Sequence, residues 1–164
     1  MNLYLMRHAI AAEPDENTED NLRSLTEKGR KKLGKIAHNL EKLEIEIDNI
    51  ITSPYLRARQ TADVVAHVLG IKQKRVFESE FLTPLGFADK LVEEINAREA
   101  VANLLIVGHE PFLSQLIGML IAGDAGLNIN MQKAGLCKLS MDQLAYGRCA
   151  TLEWLLTPEQ LIAI

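Results

Sequence analysis

Two histidines in this chain come directly after apolar runs. "LYLMRHA" carries Arg7 and His8 behind Leu3–Met6, and "LLIVGHEP" carries His109 behind Leu104–Val107. Between them, "TSPYLRARQTA" places Ser53 and Arg57 behind another short apolar run. An apolar run that stops at polar groups is the pattern of a buried strand delivering side chains to the rim of a sheet. In open α/β sheets, ligands collect at such carboxyl ends. Two imidazoles and two guanidiniums gathered there would form a local anion site. Guanidinium forks match tetrahedral oxyanions bidentately. An imidazole, with an ordinary pKa of ~6.5 that neighbouring cations lower, offers an unprotonated nitrogen at neutral pH. The chemistry this composition suits is phosphoryl transfer, which asks mainly for positioning and charge stabilisation. In that reading His8 attacks phosphorus while Arg7 and Arg57 hold the equatorial oxygens.

Other phosphate and hydrolase chemistries lack their residues. No G-x-x-x-x-G-K-[ST] loop is present to cradle nucleotide phosphates, and no G-x-S-x-G elbow to present a serine. Six positions beyond Cys137 and Cys149 stand Gln143 and Leu155, so no cysteine is spaced with an arginine to form a thiolate cradle. There is no H-E-x-x-H pair, and His8, His38, His67 and His109 have no local metal-ligand spacing, so neither metal nor cofactor is expected.

The elements that must position these groups alternate in kind. Short apolar runs predict strands at Leu3–Met6, Asn49–Thr52, Lys74–Phe77, Leu104–Val107, Gly135–Met141 and Thr151–Leu156. Between them, apolar residues at three-and-four spacing predict amphipathic helices. These cover Glu27 to Leu43, Ala58 to Leu69, Ala88 to Ile95 and Leu113 to Ile121. Ser53 and Pro54 fit an N-cap and first helical residue, and Pro111 fits a helix start after the fourth strand. Alternation of this kind predicts an α/β layer fold.

The bulk properties narrow the setting. The 164 residues suit one domain spanning 1–164, with 48% apolar and 24% charged residues, an ordinary globular mix. A net charge of −4 argues against nucleic acid as a partner, because that affinity rests on neutralising phosphates. Two cysteines make no disulfide framework, and no apolar stretch is long enough to span a membrane. The expectation is a cytoplasmic monomer.

In order along the chain, "LMRHA" (Leu5–Ala9), "LTEKGR" (Leu25–Arg30), "TSPYLRARQTA" (Thr52–Ala62) and "VGHEP" (Val107–Pro111) resemble the motifs of the histidine phosphatase superfamily. The length and "RSLT" at Arg23–Thr26 resemble its small SixA-type branch, the phosphohistidine phosphatases. The resemblance implies a three-layer α/β/α fold with a mixed, mostly parallel central sheet, of the phosphoglycerate mutase-like kind, and no metal requirement. It implies that His8 becomes transiently phosphorylated, that Arg7, Arg57 and His109 complete the pocket, and that Arg23 contacts phosphate or substrate. It also implies a partner such as a histidine-containing phosphotransfer domain. The chain departs from the commonest signature at Ala9, where glycine is usual.

A proton donor is expected after the second arginine, and the nearest candidate is Glu80, with Glu78 beside it. A phosphorylated imidazole can accept a proton on its own ring and leave neutral, so a phosphohistidine enzyme depends less on such a carboxylate. Little chain separates the strands and helices where a lid would lie, which leaves an open pocket suited to a protein substrate. The competing readings are a phosphatase of small phosphomonoesters with the same nucleophile, and a phosphate-recognition module without turnover. His38, His67 and the run Arg30-Lys31-Lys32 with Lys35 read as solvated surface, and Arg59 as structural or surface.

Overall fold

In the computed structural model, which describes residues 1–164, six strands form one sheet. They are β1 (Asn2–Arg7), β2 (Asn49–Thr52), β3 (Val76–Glu78), β4 (Asn103–Gly108), β5 (Leu136–Ser140) and β6 (Thr151–Leu156). Their order across the sheet is β3-β2-β4-β1-β5-β6. The first four strands run parallel, while β5 is antiparallel to both β1 and β6. Helices α1 (Glu27–Lys42), α2 (Leu56–Val68), α3 (Ala88–Asn96), α4 (Phe112–Ala122) and α5 (Pro158–Ala163) complete the chain. The result is the expected three-layer α/β/α arrangement around a mixed sheet. No helix is long and apolar enough to cross a membrane.

The central strands are apolar on both faces because both are covered. Along β1, Tyr4 and Met6 join a core cluster with Leu33, Ile36 and Leu40 of α1 and Ala58, Ala62 and Val65 of α2. Leu3 and Leu5 join the opposite cluster with Leu91 of α3 and Leu113, Leu116 and Leu120 of α4. The alternation follows from successive side chains pointing to opposite faces of a strand. Each fully buried leucine contributes about 1.5–3 kcal/mol of transfer free energy.

Helix α1 begins where Thr26 Oγ1 accepts the Gly29 N–H at 3.0 Å. A side chain on Gly29 would fall on the Ile10 carbonyl, so glycine is what lets α1 lie against the chain leaving β1. The connection between β1 and α1 folds back on itself through the Ala11–Leu25 bridge.

Several boundaries differ from the sequence expectation. The third strand is Val76–Glu78 rather than Lys74–Phe77, since Gln73–Arg75 forms a 3₁₀ turn, and the fifth is trimmed to Leu136–Ser140. Ser53 does not cap α2, which starts at Leu56 with Tyr55 as N-cap. Its hydroxyl is engaged by the His109 ring at 2.8 Å and accepts only the Tyr55 N–H at 3.3 Å. Pro111 is the N-cap of α4 rather than its first residue, and the Glu110 carboxylate accepts from Ser114 N–H at 3.0 Å and Ser114 O–H at 2.7 Å.

Helix α5 lies outside the helices that apolar periodicity predicts, although "TPEQ" spells its capping box: Thr157 and Gln160 exchange side chain-to-backbone bonds around Pro158. It is fastened to α1 by buried Asn39, whose Nδ2 donates to the Leu161 carbonyl at 2.8 Å and the Ile162 carbonyl at 3.2 Å. Asn39→Ala would strand the Leu161 carbonyl without that donor. A loss of about 1–3 kcal/mol is expected, read as a lower urea midpoint at unchanged m-value.

Candidate active site

Strand register builds the site. Arg7 of β1 lies opposite Gly108 of β4, and Thr52 of β2 lies opposite Val107. The ladder runs one residue further on both sides: His8 N–H donates to the Gly108 carbonyl and Ser53 N–H to the Val107 carbonyl, each at 3.0 Å. His8, His109 and Ser53 therefore leave the sheet side by side, and the two imidazole centroids stand 5.1 Å apart. Ala134, in the left-handed region at φ 64°, turns its N–H onto the Arg7 and His8 carbonyls at 3.0 and 3.2 Å.

The bonds to His8 determine its tautomer. Nδ1 lies 2.8 Å from the Ala9 carbonyl, which can only accept, and Nε2 lies 3.2 Å from Arg57 Nε, which can only donate. The proton is therefore on Nδ1 and the lone pair on Nε2. Thr61 braces this turn by accepting the Ala9 N–H at 3.1 Å and donating to the Arg57 carbonyl at 2.7 Å. Ala9 is buried in the core cluster with a negative φ, so a methyl group replaces the usual glycine hydrogen without strain.

Arg57 is almost fully buried, and each of its three nitrogens has a partner. Besides Nε to His8, one terminal nitrogen donates to the Asp20 carbonyl at 2.6 Å and the other to Asp20 Oδ2 at 3.0 Å. Tyr55 lies beneath its guanidinium, 5.1 Å from carbon to ring centroid, and packs edge-on against His109. Arg23 reaches the same carboxylate, with Nε and a terminal nitrogen on Asp20 Oδ1 at 2.9 and 2.6 Å, and donates to the Ala12 carbonyl at 2.8 Å. Arg7 donates to the Met131 carbonyl at 2.9 Å, while its Nε is buried without a partner. His109 Nδ1 is likewise buried and unpartnered.

Burial and cations together keep both imidazoles neutral. Burial is the largest cause for His8, with Arg57, Arg7 and Lys133 adding to it against the Ala9 bond, and its pKa falls to about 3. His109 also falls to about 3, through burial, His8 and Arg57, with Asp20 opposing. Burial also lowers Arg7, against the pull of Glu110. Burial would raise the Asp20 carboxyl, but the bonds from Arg23 and Arg57 outweigh it and hold the group below the ordinary carboxylate value.

The structure thus brings together Arg7, His8, Arg57 and His109, and places Arg23 one carboxylate away. Glu80 stands exposed at the start of a 3₁₀ turn after β3, and Glu78 pairs with Arg59. Neither is hydrogen-bonded to the cluster; the carboxylates whose charge reaches it are Asp20 and Glu110. Asp20, Lys133, Met131 and Ala134 escaped sequence reasoning, since loop residues carry no periodicity to mark them. Ser53, Tyr55 and Thr61 were inside a quoted motif whose conformation alone reveals their contacts. No group of three or more His, Cys, Asp and Glu side chains is arranged to hold a metal ion.

A sheet rim of this geometry and motif order has relatives. Residues 3–80 match the histidine phosphatase superfamily (branch 1). The chain is 36% identical over 141 residues to an uncharacterized protein of a Picosynechococcus species, covering 85% of this chain and 84% of that one. It is 34% identical over 128 residues to a phosphohistidine phosphatase SixA homolog of Haemophilus influenzae, covering 73% and 77%. A solved structure of the protein histidine phosphatase SixA complexed with tungstate superposes with a TM-score of 0.85 at 27% identity, over 98% of this chain and 99% of that one. The chain belongs to the histidine phosphatase superfamily, in its SixA-type branch, and is a hydrolase of phosphate compounds.

The depressed histidines link stability to pH. Unfolding returns each imidazole to an ordinary value near 6.5, so below that pH the unfolded chain binds more protons than the folded one. Stability is then full above pH ~6.5 and declines as pH falls toward 3, by up to about 1.4 kcal/mol per unit for each histidine. Urea titrations between pH 7 and 4 check this, and His8→Ala is expected to show the shallower decline.

Proposed function

We propose that this chain is a phosphohistidine phosphatase that dephosphorylates a histidine-phosphorylated protein in the cytoplasm, through a phosphohistidine on its own His8. The observation that carries the reading is the His8 tautomer: Nε2 keeps its lone pair, fixed by Arg57 Nε and opposed by the Nδ1 bond to Ala9. A phosphoryl group above Nε2 would satisfy the unpartnered N–H of Arg7 Nε, and also His109 Nδ1, provided Ser53 O–H donates to His109 Nε2. In the first step Arg57 Nε gives up its bond to His8 Nε2, and the freed lone pair forms the new N–P bond as the bond to the departing group breaks. A departing imidazole leaves neutral, having taken a proton from water on its other ring nitrogen before the bond to phosphorus breaks. Water then attacks phosphorus, the His8–phosphorus bond breaks, and phosphate leaves with His8 restored.

A leaving group that supplies its own site for protonation suits a cluster whose carboxylates are already engaged, Asp20 by two arginines and Glu110 by Ser114. Glu80, exposed on the rim, stays available as a proton donor for oxygen esters. A protein substrate is further supported by apolar side chains exposed on the connections that follow the strand ends. Leu85 is 88% and Phe87 64% exposed on the β3–α3 connection, which is anchored beside Gly108 by buried Leu82. Exposed aromatic and aliphatic side chains beside a pocket are the usual anchors of protein recognition.

Incubation with a histidine-phosphorylated phosphotransfer domain should give phosphate release and an acid-labile phosphoenzyme, both abolished in His8→Ala. Unchanged hydrolysis by His8→Ala would overturn the nucleophile, and faster turnover of sugar or nucleotide phosphates than of the phosphoprotein would favour a small-molecule phosphatase. Absence of turnover on every phosphate compound would leave a recognition module. The double variant Leu85→Asp, Phe87→Asp should raise KM for the phosphoprotein about tenfold while leaving aryl phosphate turnover unchanged.

A further inference from the structure

The Asp20 carboxylate occupies donors that a phosphate would need. Its Oδ2 takes a terminal nitrogen of Arg57 at 3.0 Å, and its Oδ1 takes two nitrogens of Arg23 at 2.9 and 2.6 Å. Both arginines lie where the resemblance to histidine phosphatases expects phosphate or substrate contact. We propose that Asp20 is the resident anion of this pocket, a built-in competitor that an incoming phosphoryl group displaces from Arg57 and Arg23, and that it keeps the site weak for free phosphate. The inference rests on the phosphate-pocket reading above.

Two features make the exchange feasible. A buried guanidinium without a counter-charge is costly, so the empty pocket requires an anion. Asp20 meets that need from a side chain that is 54% exposed on the three-residue 3₁₀ turn Asp20–Leu22, from which it can swing into water. The guanidiniums need not move with it. Arg57 remains tied to the Asp20 backbone carbonyl at 2.6 Å, and Arg23 remains tied to the Ala12 carbonyl. The carboxylate is thus a removable partner on a fixed cradle.

The exchange has a consequence for selectivity. Every phosphate ligand must displace the carboxylate and bear its repulsion. A phosphorylated protein offsets that cost with contacts outside the pocket, whereas inorganic phosphate has none to offer. The product of the reaction is therefore the species that Asp20 disfavours most.

The test uses inorganic phosphate as the probe, by calorimetry and by competition against aryl phosphate turnover. Asp20→Asn keeps the shape and removes the charge, and should bind phosphate about tenfold more tightly than wild type, with product inhibition strengthened by the same factor. Glu19→Gln makes the same change in net charge one residue away, on a side chain without an ion pair, and should change binding less than twofold. Phosphate binding by Asp20→Asn that is equal to or weaker than wild type overturns the proposal, as does equal tightening by Glu19→Gln. A merely structural Asp20 would give weaker binding. If neither wild type nor Asp20→Asn binds phosphate, the phosphate-pocket reading fails and this inference with it, a result distinct from binding that Asp20 does not influence.

Discussion

A guanidinium 4% exposed has to find a partner for each of its nitrogens, and Arg57 is the group around which this site is arranged. A buried charge without hydrogen bonds costs more than almost any packing gain can offset. Arg57 meets the requirement with one imidazole nitrogen, one backbone carbonyl and one carboxylate. Each of those bonds has a second effect. The bond to His8 sets the tautomer of the ring. The bond to the Asp20 carbonyl draws the long β1–α1 connection over the pocket, and the bond to the carboxylate brings Arg23 with it. Tyr55 beneath the guanidinium and Thr61 above its own turn hold α2 at the height where these contacts close.

The sheet supplies what the arginine cannot, namely the coincidence of three strand ends. Parallel pairing of β1 with β4 sets Arg7 level with Gly108, pairing of β2 with β4 sets Thr52 level with Val107, and the residues that follow, His8, His109 and Ser53, leave the sheet next to each other. A slip of one residue in β1 would send His8 to the opposite face and Arg7 into its place. The slip is prevented by the core rather than by the site, because Tyr4 and Met6 would then exchange faces with Leu3 and Leu5. The left-handed turn at Ala134 closes the same edge from the β5 side. Packing thus sets register, and register sets chemistry.

Local electrostatics follow from that placement. Two imidazoles 5.1 Å apart, both buried and surrounded by cations, are kept neutral by the same features that would attract a phosphoryl group. The chain as a whole is acidic, with a net charge of −4, so the cations at this rim are a local cluster rather than part of a basic protein.

Much of this was legible in the sequence. The alternation of apolar runs and helical periods gave the layers, because burial on one face or two dictates spacing. The Arg-His and Gly-His pairs at the ends of such runs marked the rim, since an unbroken apolar run that stops at polar residues is the pattern of a strand leaving a core buried on both faces. The helix after "TSP" was misplaced by two residues, as a serine suited to capping was engaged instead by His109 from another strand. Asp20 was invisible, being one of several acidic residues in a connection without pattern, and its importance comes from Arg57, which is 37 positions away. Residue types and their periods thus determined the fold and the chemistry available to this protein. The tertiary structure alone decided which nitrogen of His8 carries the lone pair and which carboxylate guards the arginines, because hydrogen bonds across distant segments leave no periodic trace in the chain.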